Sequence, residues 1–544
     1  MEHDWRNSTV IYQIYPRSFS DSNGDGIGDI RGIIENLDYL QDLGVETLWI
    51  SPMYPSPQRD FGYDISDFRG IDPTFGTMDD FGTLASEVHR RNMKLLLDMV
   101  LNHTSDSHPW FKESRSSKDN PKRDWYVWRG GAKRPNNWQS MVHGSGWHFD
   151  NRTESWYWAS FLPFQPDLNW RNPEVHAYMT DTLRFWLDRG ADGFRLDIFD
   201  AVLEDASLRN NPFAFKIIPD LSRGYGMFQK TVYNRHIPEN FALAREIRKI
   251  AEPRKKLLIG EVFGTSDILR AYCGTGKPDG LNLVFQFQCL TSPVTSSSYR
   301  KLIQEAEAWF PPPFTPTWVF GNHDRRRSIE QCRGRRDPEK LRTLFRLTVR
   351  GVPCIYYGEE IGMGQQNIPI HTSQDAVAQL LMKRYPSFAV SLIDRLMHGA
   401  VNRDSCRTPM QWNSSSNAGF CSSDAEPWLP VPDSPEETTV EAQQQDPDSL
   451  LNCHRALLQL RNRLSPLKHG TLTLLDTPDP VLGYIREKDG QTAAMLLNFS
   501  DAPSRVSLDQ YSIPKKLVYS TAGKRNSPED EITLAPWEGT VFFS

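Results

Sequence analysis

Carboxyl, imidazole and guanidinium groups follow short apolar runs at four places in the chain. They are Asp98 and His103, Arg195 and Asp197, Glu261, and His323 and Asp324. Neighbouring carboxylates raise one another's pKa, so gathering them in one site costs stability and indicates that they serve a chemical function. Two carboxyl groups without a cofactor are the equipment for cleaving glycosidic bonds, one as nucleophile and one as acid and base. If the two lie about 5–5.5 Å apart, cleavage retains the anomeric configuration.

Eight β-like runs with helical patterns between them would position these groups. The runs are 9–14, 47–50, 95–97, 193–196, 257–260, 283–287, 318–320 and 354–357. Apolar residues at helical spacing precede the second run (Ile33, Leu37, Leu40 and Leu43). Alternating strands and helices predict an α/β fold, a (β/α)₈ TIM barrel. Such barrels carry their catalytic residues at the C-terminal ends of the strands, where these groups occur.

Two regions break the alternation. Residues 104–168 are rich in Trp, Asn, Gly and Lys and are too long for a simple loop, so we predict an inserted subdomain after the third strand. Short alternating strands from 467 to 544 predict an all-β C-terminal domain. The catalytic barrel would then comprise residues 1–103 and 169–466.

Composition narrows the classes of partner. The 544 residues carry a net charge of −6, which gives no basic field and argues against nucleic acid as a partner. No window approaches the ~20 apolar residues of a membrane span. The chain starts without a secretory pattern, and its seven cysteines are scattered singly, as expected of reduced thiols in the cytoplasm. We expect a cytoplasmic monomer or weak homodimer without an organic cofactor.

An acidic, glycine-containing loop near the N-terminus is a candidate metal site. Asp21, Asn23, Asp25 and Asp29 occupy positions 1, 3, 5 and 9 of the loop, a spacing that suits a hard cation. Ca²⁺ is the expected ion and Mg²⁺ is possible. Gly32 stands at position 12, where an EF-hand has Glu, so the loop is not a complete EF-hand. A metal-free acidic turn is the alternative.

Four segments resemble the signature regions of the α-amylase superfamily. They read DMVLNH at 98–103, GFRLD at 193–197, GEV at 260–262 and NHD at 322–324. QPDLN at 165–169 resembles an additional region of the oligo-1,6-glucosidase and α-glucosidase branch. IYQIYPRSF at 11–19 and RDSCRTPMQW at 403–412 match that branch too. The resemblance runs in order from about Thr9 to Trp412.

The resemblance assigns roles by motif position. Asp197 would be the nucleophile, Glu261 the acid/base, and Asp324 the stabiliser of the transition state. Arg195 would hold the nucleophile ionised. The substrate-binding wall and floor would comprise Asp60, Tyr63, His103, Phe161, Gln165, His323 and Arg403, with Arg407 structural. The resemblance also implies that the Ile27 carbonyl joins Asp21, Asn23, Asp25 and Asp29 around the cation.

The resemblance has a consequence for substrate size. Asp60 and Tyr63 resemble the pair that closes the non-reducing end of the glucose subsite, which leaves no room for further sugars there. We therefore expect a retaining, exo-acting α-glucosidase that releases glucose from sucrose, maltose or isomalto-oligosaccharides. A transglucosylase or a sucrose-processing isomerase would use the same site and remains an alternative. A non-catalytic transporter heavy chain is a remote alternative, disfavoured by the complete carboxylate set.

Three places depart from the branch pattern. They are Ile198 directly after the nucleophile, the long segment 200–238, and the segment 364–402. All three are expected to border the acceptor side of the site, so the preferred linkage stays open.

Overall fold

The computed structural model describes residues 4–142, 144–217, 219–431 and 436–544. Eight parallel strands form the central sheet: β1 Ile11–Ile14, β2 Thr47–Ile50, β3 Lys94–Val100, β4 Gly193–Asp197, β5 Leu257–Gly260, β6 Leu283–Val284, β7 Thr317–Val319 and β8 Val352–Tyr356. Their order is β6-β5-β4-β3-β2-β1-β8-β7. Each predicted run overlaps one of these strands, so the predicted TIM barrel is confirmed.

The Thr317 side chain bridges the two ends of this strand order, β6 and β7. Its hydroxyl accepts a hydrogen bond from the Gln286 N–H at 3.0 Å and donates one to the Val284 carbonyl at 2.8 Å. β6 is shorter than predicted because the chain turns into a 3₁₀ helix, Phe287–Leu290, instead of continuing as a strand.

Alternation along β4 explains why polar groups line the barrel there. Phe194 and Leu196 point outward into the main core, as the period of two along a strand requires. Gly193, Arg195 and Asp197 therefore face the interior, where the other barrel strands place apolar side chains. A side chain at Gly193 would come within 1.9 Å of the Leu257 carbonyl oxygen, so this close strand approach needs glycine.

Helices lie around the barrel and within the segments that connect its strands. Their bounds are Pro16–Phe19, Ile30–Glu35, Leu37–Leu43, Met78–Arg90, Pro109–Ser114, Pro173–Asp188, Pro238–Ala251, Ser266–Cys273, Ser296–Trp309, Arg336–Thr348, Ala376–Met382, Ser387–Leu396, Val440–Gln445, Leu450–Arg463 and Ser465–His469. The helical pattern before β2 forms two helices rather than one, with the break at Asn36.

The region inserted after β3 has its own small sheet. Trp128–Gly130, Trp147–Asp150 and Ser155–Trp158 pair as three antiparallel strands. Trp138, Trp147 and Trp158 pack together with Val127 beneath this sheet and are almost fully buried. Much of the tryptophan density in this region therefore serves packing rather than sugar stacking.

The C-terminal region is all-β, as predicted. Thr471–Leu475, Val481–Lys488, Gln491–Asn498, Gly539–Phe543 and Leu517–Ser520 form a five-stranded antiparallel sheet in that order. Ser504–Ser507 pairs with Glu531–Leu534. Outside this region, Tyr225–Gly226 and Gln229–Lys230 form a short hairpin within the unusual segment 200–238.

Two features bear on the environment of the protein. All seven cysteines are free and buried. Among the residues described, no helix combines the length and apolarity that crossing a membrane requires.

Candidate active site

A cavity of about 420 Å³ lies at the C-terminal ends of the barrel strands. Ten of the predicted catalytic and substrate-binding residues line it: Asp60, Tyr63, His103, Phe161, Gln165, Asp197, Glu261, His323, Asp324 and Arg403. The eleventh, Arg195, is buried beneath them. Residues separated by more than 340 positions in the chain thus converge on one mouth.

Arg195 joins the carboxylates from below. Its Nη1 donates to Asp98 Oδ1 and to Asp197 Oδ1, both at 2.7 Å, and its Nη2 donates to Glu261 Oε2 at 2.6 Å. One guanidinium therefore fixes the orientation of three neighbouring carboxyl groups, because charged hydrogen bonds are short and directional. The backbone N–H of Ile198 donates to the same Glu261 oxygen at 3.3 Å.

Burial sets the proton balance of this carboxylate pair. It raises the pKa of Asp197 and of Glu261 above their ordinary values, while Arg195 opposes the rise in both. The negative charge of Asp324 raises the pKa of Glu261 further. Two adjacent buried carboxyl groups resist losing both protons, so the pair keeps one proton to a higher pH than free carboxyls would.

Asp324 has the opposite environment. Burial alone would raise its pKa, but His323, Arg403 and Arg407 beside it hold the pKa well below the usual range. Arg403 Nη1 and Arg407 Nη2 approach Asp324 Oδ1 at 3.1 and 3.0 Å. Asp324 is therefore ionised near neutral pH. Arg407 is fully buried and also donates to the His323 carbonyl at 2.7 Å, which suits the structural role predicted for it.

Arg403 binds several carboxylates beside the cavity. Its Nη2 donates to Asp60 Oδ1 at 2.8 Å, and Asp60 Oδ2 accepts from Gln165 Nε2 at 2.9 Å. Arg403 is itself held by Asp375, which accepts from its Nε at 2.7 Å, its Nη2 at 2.9 Å and its backbone N–H at 2.9 Å. Sequence reasoning missed Asp375, which lies outside the motifs.

Aromatic and imidazole rings form the adjoining wall. The Tyr63 ring stacks on His323 with centroids 5.3 Å apart and planes 4° apart, and its hydroxyl donates to Asp98 Oδ2 at 3.0 Å. Gln13 Nε2 donates to His323 Nδ1 at 2.7 Å, which leaves the proton of the neutral ring on Nε2. Burial lowers the pKa of His323 well below its usual value, and that of His103 to about 4, so both rings are neutral hydrogen-bonding groups.

Comparisons with known proteins agree with this geometry. Residues 13–470 match the family described as alpha amylase, catalytic domain. The chain belongs to the alpha-amylase family. It is 36% identical to an oligo-1,6-glucosidase of Parageobacillus thermoglucosidasius, over 100% of this chain and 99% of the relative.

Two solved structures extend the comparison. The alpha-glucosyl transfer enzyme XgtA superimposes with a TM-score of 0.88 and 34% identity, over 100% of both chains. The trehalulose synthase MutB of Pseudomonas mesoacidophila MX-45 superimposes with a TM-score of 0.89 and 31% identity, again over 100% of both chains. This alpha-amylase family enzyme is thus similar over its whole length to a protein named as a glucosidase, to one named for glucosyl transfer and to one named as a trehalulose synthase.

Ile198 is strained beside the predicted nucleophile of this alpha-amylase family enzyme. Its backbone is left-handed, with φ 42° and ψ 42°, which is costly for a β-branched residue. That conformation points the Ile198 N–H at Glu261, and the Phe199 N–H donates to the Glu261 carbonyl at 3.0 Å. Ile198 also lines the cavity. All three segments that depart from the branch pattern contribute residues to its lining.

The loop predicted to bind a cation lies apart from the cavity. Asp21, Asn23 and Asp25 accept hydrogen bonds from backbone N–H groups of their own loop, at 2.7–3.0 Å. Asp29 accepts from Ser22 and caps the helix Ile30–Glu35. Within the described ranges, no group of three or more His, Cys, Asp or Glu side chains is arranged around a possible metal position. The metal prediction, including the Ile27 carbonyl, stays a prediction.

Proposed function

We propose that this protein is a retaining, exo-acting α-glucosidase that releases glucose from the non-reducing end of short α-glucosides. One observation carries the proposal: Arg403 bridges Asp60 and Asp324 across the end of the cavity, with the Tyr63 and His323 rings alongside. We expect these buried polar groups to bind the hydroxyls of a single terminal glucose. A bound group that breaks one of these contacts without replacing it would cost about 1–3 kcal/mol, so a substrate that presents other groups there is disfavoured.

The shared contacts of Arg195 support a double-displacement reaction. Asp197 attacks the anomeric carbon, and Glu261 gives its proton to the departing oxygen, so the C–O bond breaks as a glucosyl ester forms. Glu261 then takes a proton from water, which attacks the ester and frees α-glucose. Both side chains bind one guanidinium at 2.6–2.7 Å, which keeps them side by side as retention requires. Asp324, ionised near neutral pH, stabilises the cationic transition state through the ring hydroxyls.

Glucosyl transfer is the second candidate. Its support is the similarity to XgtA and to the trehalulose synthase MutB, each over the whole chain. The glucosyl ester would be the same, and a sugar or another alcohol would replace water as the acceptor. The balance between the two depends on residues around the acceptor rather than on the carboxylates.

A substrate panel tests the proposal. Glucose release is measured at fixed enzyme from sucrose, maltose, isomaltose, maltoheptaose and soluble starch, with chromatography for transfer products. We expect glucose from the disaccharides and little action on starch. Conversion of starch to mixed oligosaccharides would show an open cleft and refute the exo-acting pocket. Mainly transfer products from sucrose would favour the second candidate.

We also propose that the loop from Asp21 to Asp29 holds a structural cation, Ca²⁺ or Mg²⁺. The support is its oxygen-only donor set, because a carboxylate has about four lone-pair positions and the backbone contacts leave some of them for an ion. The ion would stabilise the first βα loop.

We further propose a cytoplasmic enzyme, which the seven free cysteines favour. A monomer or weak homodimer remains the expectation for size-exclusion chromatography.

A further inference from the structure

The part of the cavity beyond the glucose site has an apolar lining. Two of the unusual segments supply much of it: Ile217, Leu221 and Met227 come from segment 200–238, and Leu381, Ile393 and Leu396 come from segment 364–402. These segments lie far apart in the chain, yet they face the same cavity. The space next to the scissile bond is therefore enclosed by aliphatic side chains.

Several of these side chains are exposed at the mouth. Ile217 is 62% exposed and Leu396 is 57% exposed. Single exposed aliphatic residues are ordinary, but a contiguous apolar lining that leads into a catalytic cavity marks a binding surface. The same lining includes Ile198, which directly follows Asp197 in the chain.

Polar groups are sparse on this side. Among the lining residues described, Asn322, Arg325 and Tyr385 are the polar ones outside the glucose site. The Asn322 side chain already accepts from the Asp324 N–H at 3.0 Å, and Arg325 Nη1 donates to the Met397 carbonyl at 3.2 Å. A second sugar ring would bring several hydroxyls against aliphatic walls, where those that do not face Asn322, Arg325 or Tyr385 lose hydrogen bonds to water without replacement. An alkyl or aryl group would instead gain from burial.

We propose that the preferred substrates are α-glucosides whose aglycone is an apolar alcohol or phenol. This inference rests on the proposed function, since glucose must occupy the capped end of the cavity. The reaction is balanced as hydrolysis: the bond between the anomeric carbon and the aglycone oxygen breaks, that oxygen takes the Glu261 proton, and water supplies the hydroxyl of glucose. The aliphatic walls determine which leaving group is favoured.

An alkyl series tests the inference. Methyl, butyl, hexyl and octyl α-glucosides are assayed below their micelle-forming concentrations, together with maltose. We expect kcat/KM to rise by up to about fourfold per CH₂, or about 0.8 kcal/mol, and octyl glucoside to exceed maltose. A flat or falling series with glucose still released from the methyl compound overturns this inference alone. No glucose from any α-glucoside overturns the proposed function as well.

A matched pair of variants locates the effect. Leu396 and Leu392 lie on the same helix, Ser387–Leu396, and are 57% and 56% exposed, but Leu396 lines the cavity and Leu392 is absent from its lining. We expect Leu396→Ser to lower the octyl-to-methyl ratio of kcat/KM by about fivefold and Leu392→Ser to leave it unchanged. Ile217→Ser tests the opposite wall and should act like Leu396→Ser. Equal effects of the two leucine variants, or none in Leu396→Ser and Ile217→Ser, would overturn the assignment.

Discussion

Glu261→Gln separates the acid role of Glu261 from every other contact it makes. The amide keeps an oxygen that can accept from Arg195 Nη2, where the native distance is 2.6 Å, so the side chain should stay in place. It has no proton to give to a leaving group. General acid catalysis contributes about 10²–10⁴-fold, which corresponds to about 2.7–5.5 kcal/mol of activation free energy.

Two substrates with different leaving groups provide the assay. The leaving group of methyl α-glucoside is methoxide, a strong base that needs the proton. The leaving group of p-nitrophenyl α-glucoside is a stable phenolate that does not need it. Any change in the contacts of residue 261 affects both substrates alike, so the ratio of the two losses isolates the acid. We expect kcat/KM for the methyl compound to fall about 10²–10⁴-fold more than for the aryl compound.

Using kcat/KM and the control variant Asp197→Asn restricts the comparison to the acid step. kcat/KM reports the first irreversible step, formation of the glucosyl ester, and so excludes the later role of Glu261 as base. Asp197→Asn, which removes the nucleophile, should instead lower both substrates by a similar, larger factor of several orders of magnitude. If Glu261→Gln reduces both substrates equally, Glu261 is not the acid.

Three further predictions follow from the surroundings of the carboxylates. Asp375→Asn keeps the volume of the side chain but loses the charge that holds Arg403. kcat/KM for maltose should then fall about 10–100-fold in an enzyme that still melts cooperatively, and an unchanged value would show that Arg403 needs no anchor. Because burial raises the pKa of Glu261, its acid form should persist above the ordinary range. kcat/KM for methyl α-glucoside should therefore fall on an alkaline limb that disappears in Glu261→Gln, as pH profiles of the two enzymes would reveal. EDTA should lower the melting temperature, and Asp21→Ala should abolish that shift, while turnover of the folded enzyme persists. Melting curves identical with and without chelator in the wild-type enzyme would favour a metal-free turn.

The barrel was predictable because its signals are local. Strand-length apolar runs and intervening helical spacing follow from the periods of the two structures, and GFRLD at 193–197 shows both the outward Phe194 and Leu196 and the inward Arg195. The residues around the pocket were predicted because they stand in or near segments that resemble the family, some of them at strand ends. Their convergence in one cavity agrees with that prediction, and their roles await the variants above.

What remained hidden depends on long-range packing. Asp375 precedes an apolar helix, Ala376–Met382, and accepts from the Val377 N–H at 2.8 Å, so its sequence signal is that of an ordinary helix cap. Nothing local shows that its carboxylate also binds Arg403. The aliphatic lining of the mouth was hidden for the same reason, since its residues come from two irregular segments whose approach depends on tertiary packing.

Asp375 therefore belongs to two structural features at once, the helix beside the mouth of the cavity and the ion pairs of Arg403. It starts a helix that carries Leu381 toward the mouth, and it anchors the arginine that holds Asp60 and Asp324. Exchanging segment 364–402 for that of another enzyme is an obvious way to redesign the leaving-group preference. Such a graft would carry away the counter-ion of Arg403 with the old loop, so a successful chimera must present a carboxylate at the start of its new helix.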